Sequence, residues 1–252
     1  MTQRYVPMLS KSRFLAGLHC PLNLWYQCYN RDLASELYPA QQAIFDMGHE
    51  VGRLATQLYP GGILIEEDHM HHKEAVQSTL TVMKDTNVAA IYEAAFISDG
   101  VRIRVDILER LNDGAWNLIE VKSATSVKDL YLSDVAVQYH VLKGSGLKIR
   151  TAAILHLNNQ YVYDGKQLDL NGLFTFSDLT EEVLDLQTEI PSQLAGLKEM
   201  LAETDPPEIY PSKDCISPYK CGFWEHCTAE MPKYWVMRLG GISQTKYNQL
   251  IE

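Results

Sequence analysis

From Val101 to Lys122 the chain alternates. Val101, Ile103, Val105 and Ile107 are apolar, and Arg102, Arg104 and Asp106 between them are charged. A period of two predicts a strand with one buried face. After Asn112-Asp113-Gly114 the same parity returns, with Ile119 and Val121 apolar and Glu120 and Lys122 charged. A turn centred on Asp113 sets Asp106 opposite Glu120, with Lys122 one step further along the same face. Upstream, Val88 to Phe96 also reads as a strand, and Asp99-Gly100 is a strong two-residue hairpin signal. That loop sets Glu93 opposite Asp106, so three carboxylates are expected on one face of the sheet.

Helical spacing frames these strands. Leu9 to Tyr26 reads as an interrupted helix, with Pro21 starting its second part and Cys20 at the edge. Gln41 to Tyr59 carries Ile44, Met47, Val51, Leu54, Ala55 and Leu58 at the 3.6 period, and Pro60-Gly61-Gly62 ends it. His49 lies off that stripe. Gly62 to Glu67 predicts a short strand, Glu74 to Met83 a helix, and Asp129 to Lys143 a helix stopped by Gly144. Lys148 to Asn158 and Gln160 to Tyr163 predict strands. Leu179 to Leu201 predicts one long helix through Val183, Leu186, Ile190, Leu194, Leu197 and Leu201. Pro206-Pro207 and Pro211 mark a linker into a cysteine-rich segment. The whole reads as one α/β domain over 1–252, with a central mixed sheet flanked by helices. Within it we distinguish a helical part (1–60), a core (88–165) and a cysteine-rich segment (205–235).

Composition narrows the class. A chain of 252 residues, 46% hydrophobic and 21% charged, can bury a large core as an ordinary globular protein. No apolar run approaches the ~18 residues of a membrane span. The N-terminus lacks the apolar centre of a signal peptide, so the expected location is cytoplasmic, with no membrane partner. A net charge of −10 argues against a protein coated in nucleic acid, while leaving room for a local basic groove. The five cysteines are Cys20, Cys28, Cys215, Cys221 and Cys227. An odd count in a cytoplasmic chain points to metal or cluster ligation rather than a disulfide framework.

The carboxylate face carries the clearest chemistry. Directly opposed residues have Cβ atoms roughly 4.5–5.5 Å apart, and two like charges held so close are costly without a cation. Oxygen ligands suit Mg²⁺ or Mn²⁺. Such an ion activates water and stabilises charge developing on a phosphate. The carbonyl of Val121 is a further oxygen donor, and Lys122 can hold the attacking water or neutralise the phosphate. The plainer alternative is a solvated sheet face with a cross-strand ion pair.

Asp106, then Glu120-Val121-Lys122, then Gln138 on the next helix resembles the PD-(D/E)XK nuclease superfamily, and more narrowly its RecB-like branch. His49, in Gly48-His49-Glu50-Val51-Gly52, fits the branch's early histidine. Gln138 fits its Gln-x-x-x-Tyr motif in part, because Leu142 stands where the tyrosine belongs; Tyr131 and Tyr139 lie nearby. The resemblance implies a restriction-endonuclease-like core. It implies His49, Asp106, Glu120 and the Val121 carbonyl as metal ligands and Lys122 as catalytic. Glu93 joins them by the strand pairing alone.

One cysteine before the core and three after it, Cys20 with Cys215-x5-Cys221-x5-Cys227, resembles the iron–sulfur exonucleases, among them the CRISPR-associated RecB-like nucleases and AddB-type subunits. This implies a [4Fe–4S] cluster joining the two chain ends. Zinc is the competing ligand, with His19 or His226 as extra donors and Cys28 as an alternative fourth thiol. His69, His71 and His72 read as a solvated loop. Trp25, Tyr26, Phe223 and Trp224 are candidate base-stacking residues as well as core candidates. The start, LSKSRFLAGLHCP, and LIEVKSAT in the middle also resemble a bacterial family in which such a nuclease half is followed by further sequence. The resemblance implies either a compact member of that family or a further domain or protein partner after the C-terminus.

The function expected is metal-dependent hydrolysis of DNA, on single strands or ends. The alternatives are a non-catalytic nucleic-acid-binding or assembly module on a nuclease scaffold, and a zinc or iron–sulfur redox protein, which leaves the carboxylate pair idle.

Overall fold

Alternation and turn chemistry dictate the centre of the fold, and a computed structural model of the chain places the other elements around it. It describes residues 5–36, 39–217, 219–238, 241 and 243–251. Two compact units emerge, residues 8–15 with 40–196, and residues 1–7 with 16–39 and 197–252. In chain order the elements begin β1 (Leu9–Ser10), α1 (Lys11–His19), α2 (Pro21–Tyr29), α3 (Pro39–Thr56), β2 (Ile63–Leu64) and α4 (His72–Val82). Then come β3 (Ala90–Ser98), β4 (Val101–Arg110), β5 (Trp116–Lys122), α5 (Asp129–Gly144) and β6 (Ile149–Leu157). The chain continues through α6 (Leu170–Leu173), β7 (Phe174–Asp178), α7 (Thr180–Leu186), α8 (Ile190–Ala202), α9 (Trp224–Cys227) and α10 (Gln244–Ile251).

The strands form one mixed sheet in the order β2-β3-β4-β5-β6-β7, with β1 pairing β4 off that path. Both hairpins form in the expected registers. Ser98 faces Val101 across Asp99-Gly100, whose φ values of 46° and 68° are both positive, as a type I′ turn demands. Tyr92 pairs with Ile107 and Ala94 with Val105, which brackets Glu93 against Asp106. In the second hairpin Ile107 pairs with Ile119 and Arg110 with Trp116. Beyond Ile107 and Ile119 the ladder between β4 and β5 stops. Further along β4, β1 pairs in parallel, Leu9 with Val101 and Ser10 with Arg102. The sheet therefore forks at Asp106 and Glu120.

Both sheet faces are covered, so the mixed α/β architecture is as expected. On one face Ile107, Ile119 and Leu155 cluster with Val51 and Ala55 of α3. On the other, α5 packs across β3, β4, β5 and β6. By the alternation of strand side chains, Leu108, Leu118 and Glu120 point to this second face.

Four expectations fail, the first being that Leu9 and Ser10, read as the start of a helix, form strand β1. Residues 160–163 form no strand, and Val162 is 84% exposed; the last strand of the sheet is β7, antiparallel to β6. The helix expected over Leu179–Leu201 is two helices, with Pro191 the second residue of α8. A proline inside a helix lacks the donor and clashes with the preceding turn, so the apolar period runs on while the helix restarts. In α3, Ile44 and Met47 are more than half exposed although they share the stripe with buried Val51.

In the second unit Cys20 caps α2 and Pro21 is its first residue, as expected. A Cβ on Gly17 would stand 2.8 Å from the terminal methyls of Leu24 and Leu197, which would have to shift to admit it. Tyr29 Oη donates to the Leu201 carbonyl at 2.7 Å. Among the described residues no helix is long and apolar enough to cross a membrane.

Candidate active site

At the fork the free backbone of β5 turns to a side chain. Val121 N–H donates to Asp106 Oδ2 at 2.7 Å, where a ladder bond would otherwise continue. Glu120 is 3% exposed and fully engaged. Its Oε1 accepts from Lys11 Nζ at 2.8 Å and Lys122 Nζ at 2.7 Å, and its Oε2 from Gln138 Nε2 at 2.8 Å. Asp134, one helical turn before Gln138 on α5, takes Lys122 Nζ at 2.5 Å on Oδ2 and Lys11 Nζ at 3.2 Å on Oδ1. Two carboxylates and two ammonium groups thus interlock, braced by an amide.

Burial and charge act on these groups in opposite senses. Burial pushes the Asp106 carboxyl up from 3.8 to about 8, and the neighbouring Glu120 charge adds to it, with Lys11 opposing. Burial alone would also raise Glu120, but Lys11 and Lys122 outweigh it and hold that carboxyl well below its ordinary range. Burial would lower Lys122, but Glu120 and Asp134 hold it above the ordinary lysine value. Lys11 follows the same logic under Asp134, Glu120 and Asp106. Glu120 is therefore the anion of the pair, Asp106 the proton carrier, and both lysines are cations.

The structure gathers Asp106, Glu120, Lys122 and Gln138 into one site. Glu93 approaches it but pairs elsewhere: its Oε2 accepts from Arg104 Nε at 3.0 Å, and the same guanidinium binds the carbonyls of Ile65 and Glu67. Glu93 also has φ 55°, the left-handed region that costs a non-glycine residue of order 1–3 kcal/mol. His49 is exposed on α3, whose Val51 and Ala55 pack on the opposite sheet face, and it is not brought to the carboxylates. The observed contact of Val121 with Asp106 is through its amide. Leu142 is core, and Lys122 Nζ lies 5.2 Å from the ring centre of Tyr131.

Sequence reasoning missed Lys11 and Asp134. The spacing of Asp134 and Gln138, four residues apart on one helix face, was a usable signal. Lys11 offered none, because it enters only through the pairing of a two-residue strand.

Hard oxygen donors and a carboxyl driven to hold a proton suit a divalent cation chemically. As arranged, the donors face ammonium groups instead. Among the described residues no group of three or more His, Cys, Asp or Glu stands ready to hold a metal ion.

The cysteines gather within the second unit. Cys20, Cys215, Cys221 and Cys227 line one cavity with Tyr26, Ile209, Phe223 and Trp224. Burial raises the thiols of Cys20, Cys221 and Cys227, and their mutual proximity raises them further. Cys28 does not line the cavity, and none of the five cysteines forms a disulfide. The Nε2 of His19 is engaged with the Asp214 carbonyl at 2.9 Å, and His226 packs edge-on against Tyr26. Trp25 and Phe223 are buried as core, while Tyr26 and Trp224 are partly open. His72 is not solvated as expected: it is 7% exposed, with Nε2 3.3 Å from the Phe96 carbonyl. His71 pairs with Asp68 on the surface.

No family model matches this chain, and no curated protein matches it. Among solved structures it is similar to an alkaline exonuclease (LHK-Exo) from Laribacter hongkongensis, at 12% identity and a TM-score of 0.40, over 78% of this chain and 90% of that one. The same enzyme in complex with dAMP matches equally.

Proposed function

We propose that this chain is a divalent-metal-dependent nuclease that hydrolyses DNA phosphodiester bonds on single strands or ends. One observation carries the reading: Asp106, Glu120 and Lys122 meet at a fork in the sheet, where strand pairing stops and side chains take over. Asp106 and Glu120, with the Val121 carbonyl, would hold Mg²⁺ or Mn²⁺, and the ion would supply Lewis acidity and an activated water. Lys122, kept charged by Glu120 and Asp134, would orient an attacking water and neutralise charge on the phosphate. Gln138 fixes the rotamer of Glu120 through Oε2. Asp134 steers Lys122 from the far side. The resemblance of the Asp106 and Glu120-Val121-Lys122 motif to the RecB-like branch supports DNA as the substrate. The four cavity cysteines are proposed to hold a structural [4Fe–4S] cluster, with zinc as the alternative, because thiolate donors suit both.

A second reading has its own support. The ion pairs are closed on themselves, as a purely structural network would be, which fits a nuclease scaffold kept for binding or assembly. Activity separates the two. The purified chain with Mn²⁺ should release nucleotides from single-stranded DNA, and Glu120→Gln should lower the rate by about 10²-fold or more. No Mn²⁺-dependent release of nucleotides, or full activity in Glu120→Gln, would reject this catalytic reading.

A further inference from the structure

Lys11 reaches the site from outside the β4–β5 motif. It follows β1 directly and opens α1, so the parallel pairing of Leu9 and Ser10 with β4 aims the next residue at the fork. Its Nζ lies 2.8 Å from Glu120 Oε1 and 3.2 Å from Asp134 Oδ1. Lys122 reaches the same two carboxylates from within β5. The two ammonium groups differ in what else they face. Asp106 feels the charge of Lys11, whereas Lys122 is turned to Asp134 and the ring of Tyr131. Lys11 is thus in direct contact with Glu120, one of the pair proposed to ligate metal, and its charge is also felt at Asp106.

We propose that Lys11 is a built-in counter-ion of the carboxylate centre, which holds Glu120 in the metal-free protein and must yield to the divalent cation. The inference rests on the metal-site reading above and adds a residue that tunes it. It explains why the donors converge on ammonium groups while no metal-ready group stands among the described residues. It also gives Lys11 two acceptors, so that Nζ released by Glu120 keeps Asp134 as its partner and stays charged beside the site. Without Lys11, buried Glu120 would keep Lys122 as its one contacting cation among the described residues until metal arrived.

The test is metal affinity, read by calorimetry with Mn²⁺ alone on the full chain. Lys11→Gln removes the competing charge and keeps a hydrogen-bonding side chain. It should bind Mn²⁺ at least tenfold more tightly than wild type while its metal-free melting temperature falls. Lys11→Arg keeps the charge and should stay within about threefold of wild type. If wild type binds and Lys11→Gln binds equally or more weakly, Lys11 is not the competing ion, though the metal site stands. If neither binds, this inference and the metal-site reading both fall. Should Lys11→Gln not fold, lysine-selective NMR on wild type decides. The Lys11 Nζ resonance should shift on adding Mg²⁺, and an unmoved resonance at saturating Mg²⁺ overturns the proposal.

Discussion

Lys11 Nζ stands 2.8 Å from Glu120 Oε1 across 109 positions of sequence. The contact exists because a two-residue strand pairs with β4 where β5 leaves it. The site is therefore a product of sheet topology as much as of the motif on β4 and β5.

Asp134 should prove as important to that site as the motif carboxylates. It is 4% exposed and takes both ammonium groups. Asp134→Asn leaves two buried cations to share Glu120. Breaking a buried pair costs about 3–5 kcal/mol, and a domain of this size loses roughly 2–4 °C per kcal/mol. A melting temperature about 6–20 °C lower, with activity reduced, is expected by calorimetry and nuclease assay. A shift under about 2 °C would show the network to be slack.

The first hairpin was legible throughout. Strict alternation and an Asp-Gly turn leave one register, because a one-residue slip would expose Ile103, Val105 and Ile107. The second register was legible for the same reason. What surrounds them was not. A strand as short as Leu9–Ser10 has no period to read, so neither the fork nor Lys11 could be foreseen. The split between α7 and α8 was hidden because apolar spacing continues across Pro191. His49 was read as a ligand from motif order; it is exposed on α3, whose Val51 and Ala55 pack with Ile107 and Ile119.

Stability without divalent ions should depend on pH through Asp106. Its carboxyl is raised from 3.8 to about 8 by burial and Glu120. A raised carboxyl binds its proton more tightly folded than unfolded. Its contribution is therefore full below about pH 4 and is lost as pH rises towards 8. Asp106→Asn removes that loss. The variant's melting temperature should gain on wild type between about pH 5 and pH 8.5 in metal-free buffer. A constant difference across that range would contradict the assignment.

Metal binding should compete with the same proton. Mn²⁺ affinity is expected to climb by up to tenfold per unit between about pH 6 and pH 8, then level. Calorimetry in buffers of different ionisation enthalpy should record proton release near pH 7. A pH-independent affinity would place the ion away from Asp106.

The cysteine cavity predicts colour. Protein purified without oxygen should absorb broadly near about 400 nm, and Cys221→Ser should lose that band together with thermal stability. A colourless protein carrying zinc would replace the cluster by the alternative ligand, and a colourless metal-free protein would reject both.

The most direct test of the central claim is the rate of Mn²⁺-dependent hydrolysis of end-labelled single-stranded DNA by wild type and by Lys122→Ala, each shown to be folded. The geometry of Lys122 with Glu120 and Asp134 predicts rapid degradation by wild type and a loss of about 10²-fold or more in the variant. Equal rates in the two proteins would contradict it.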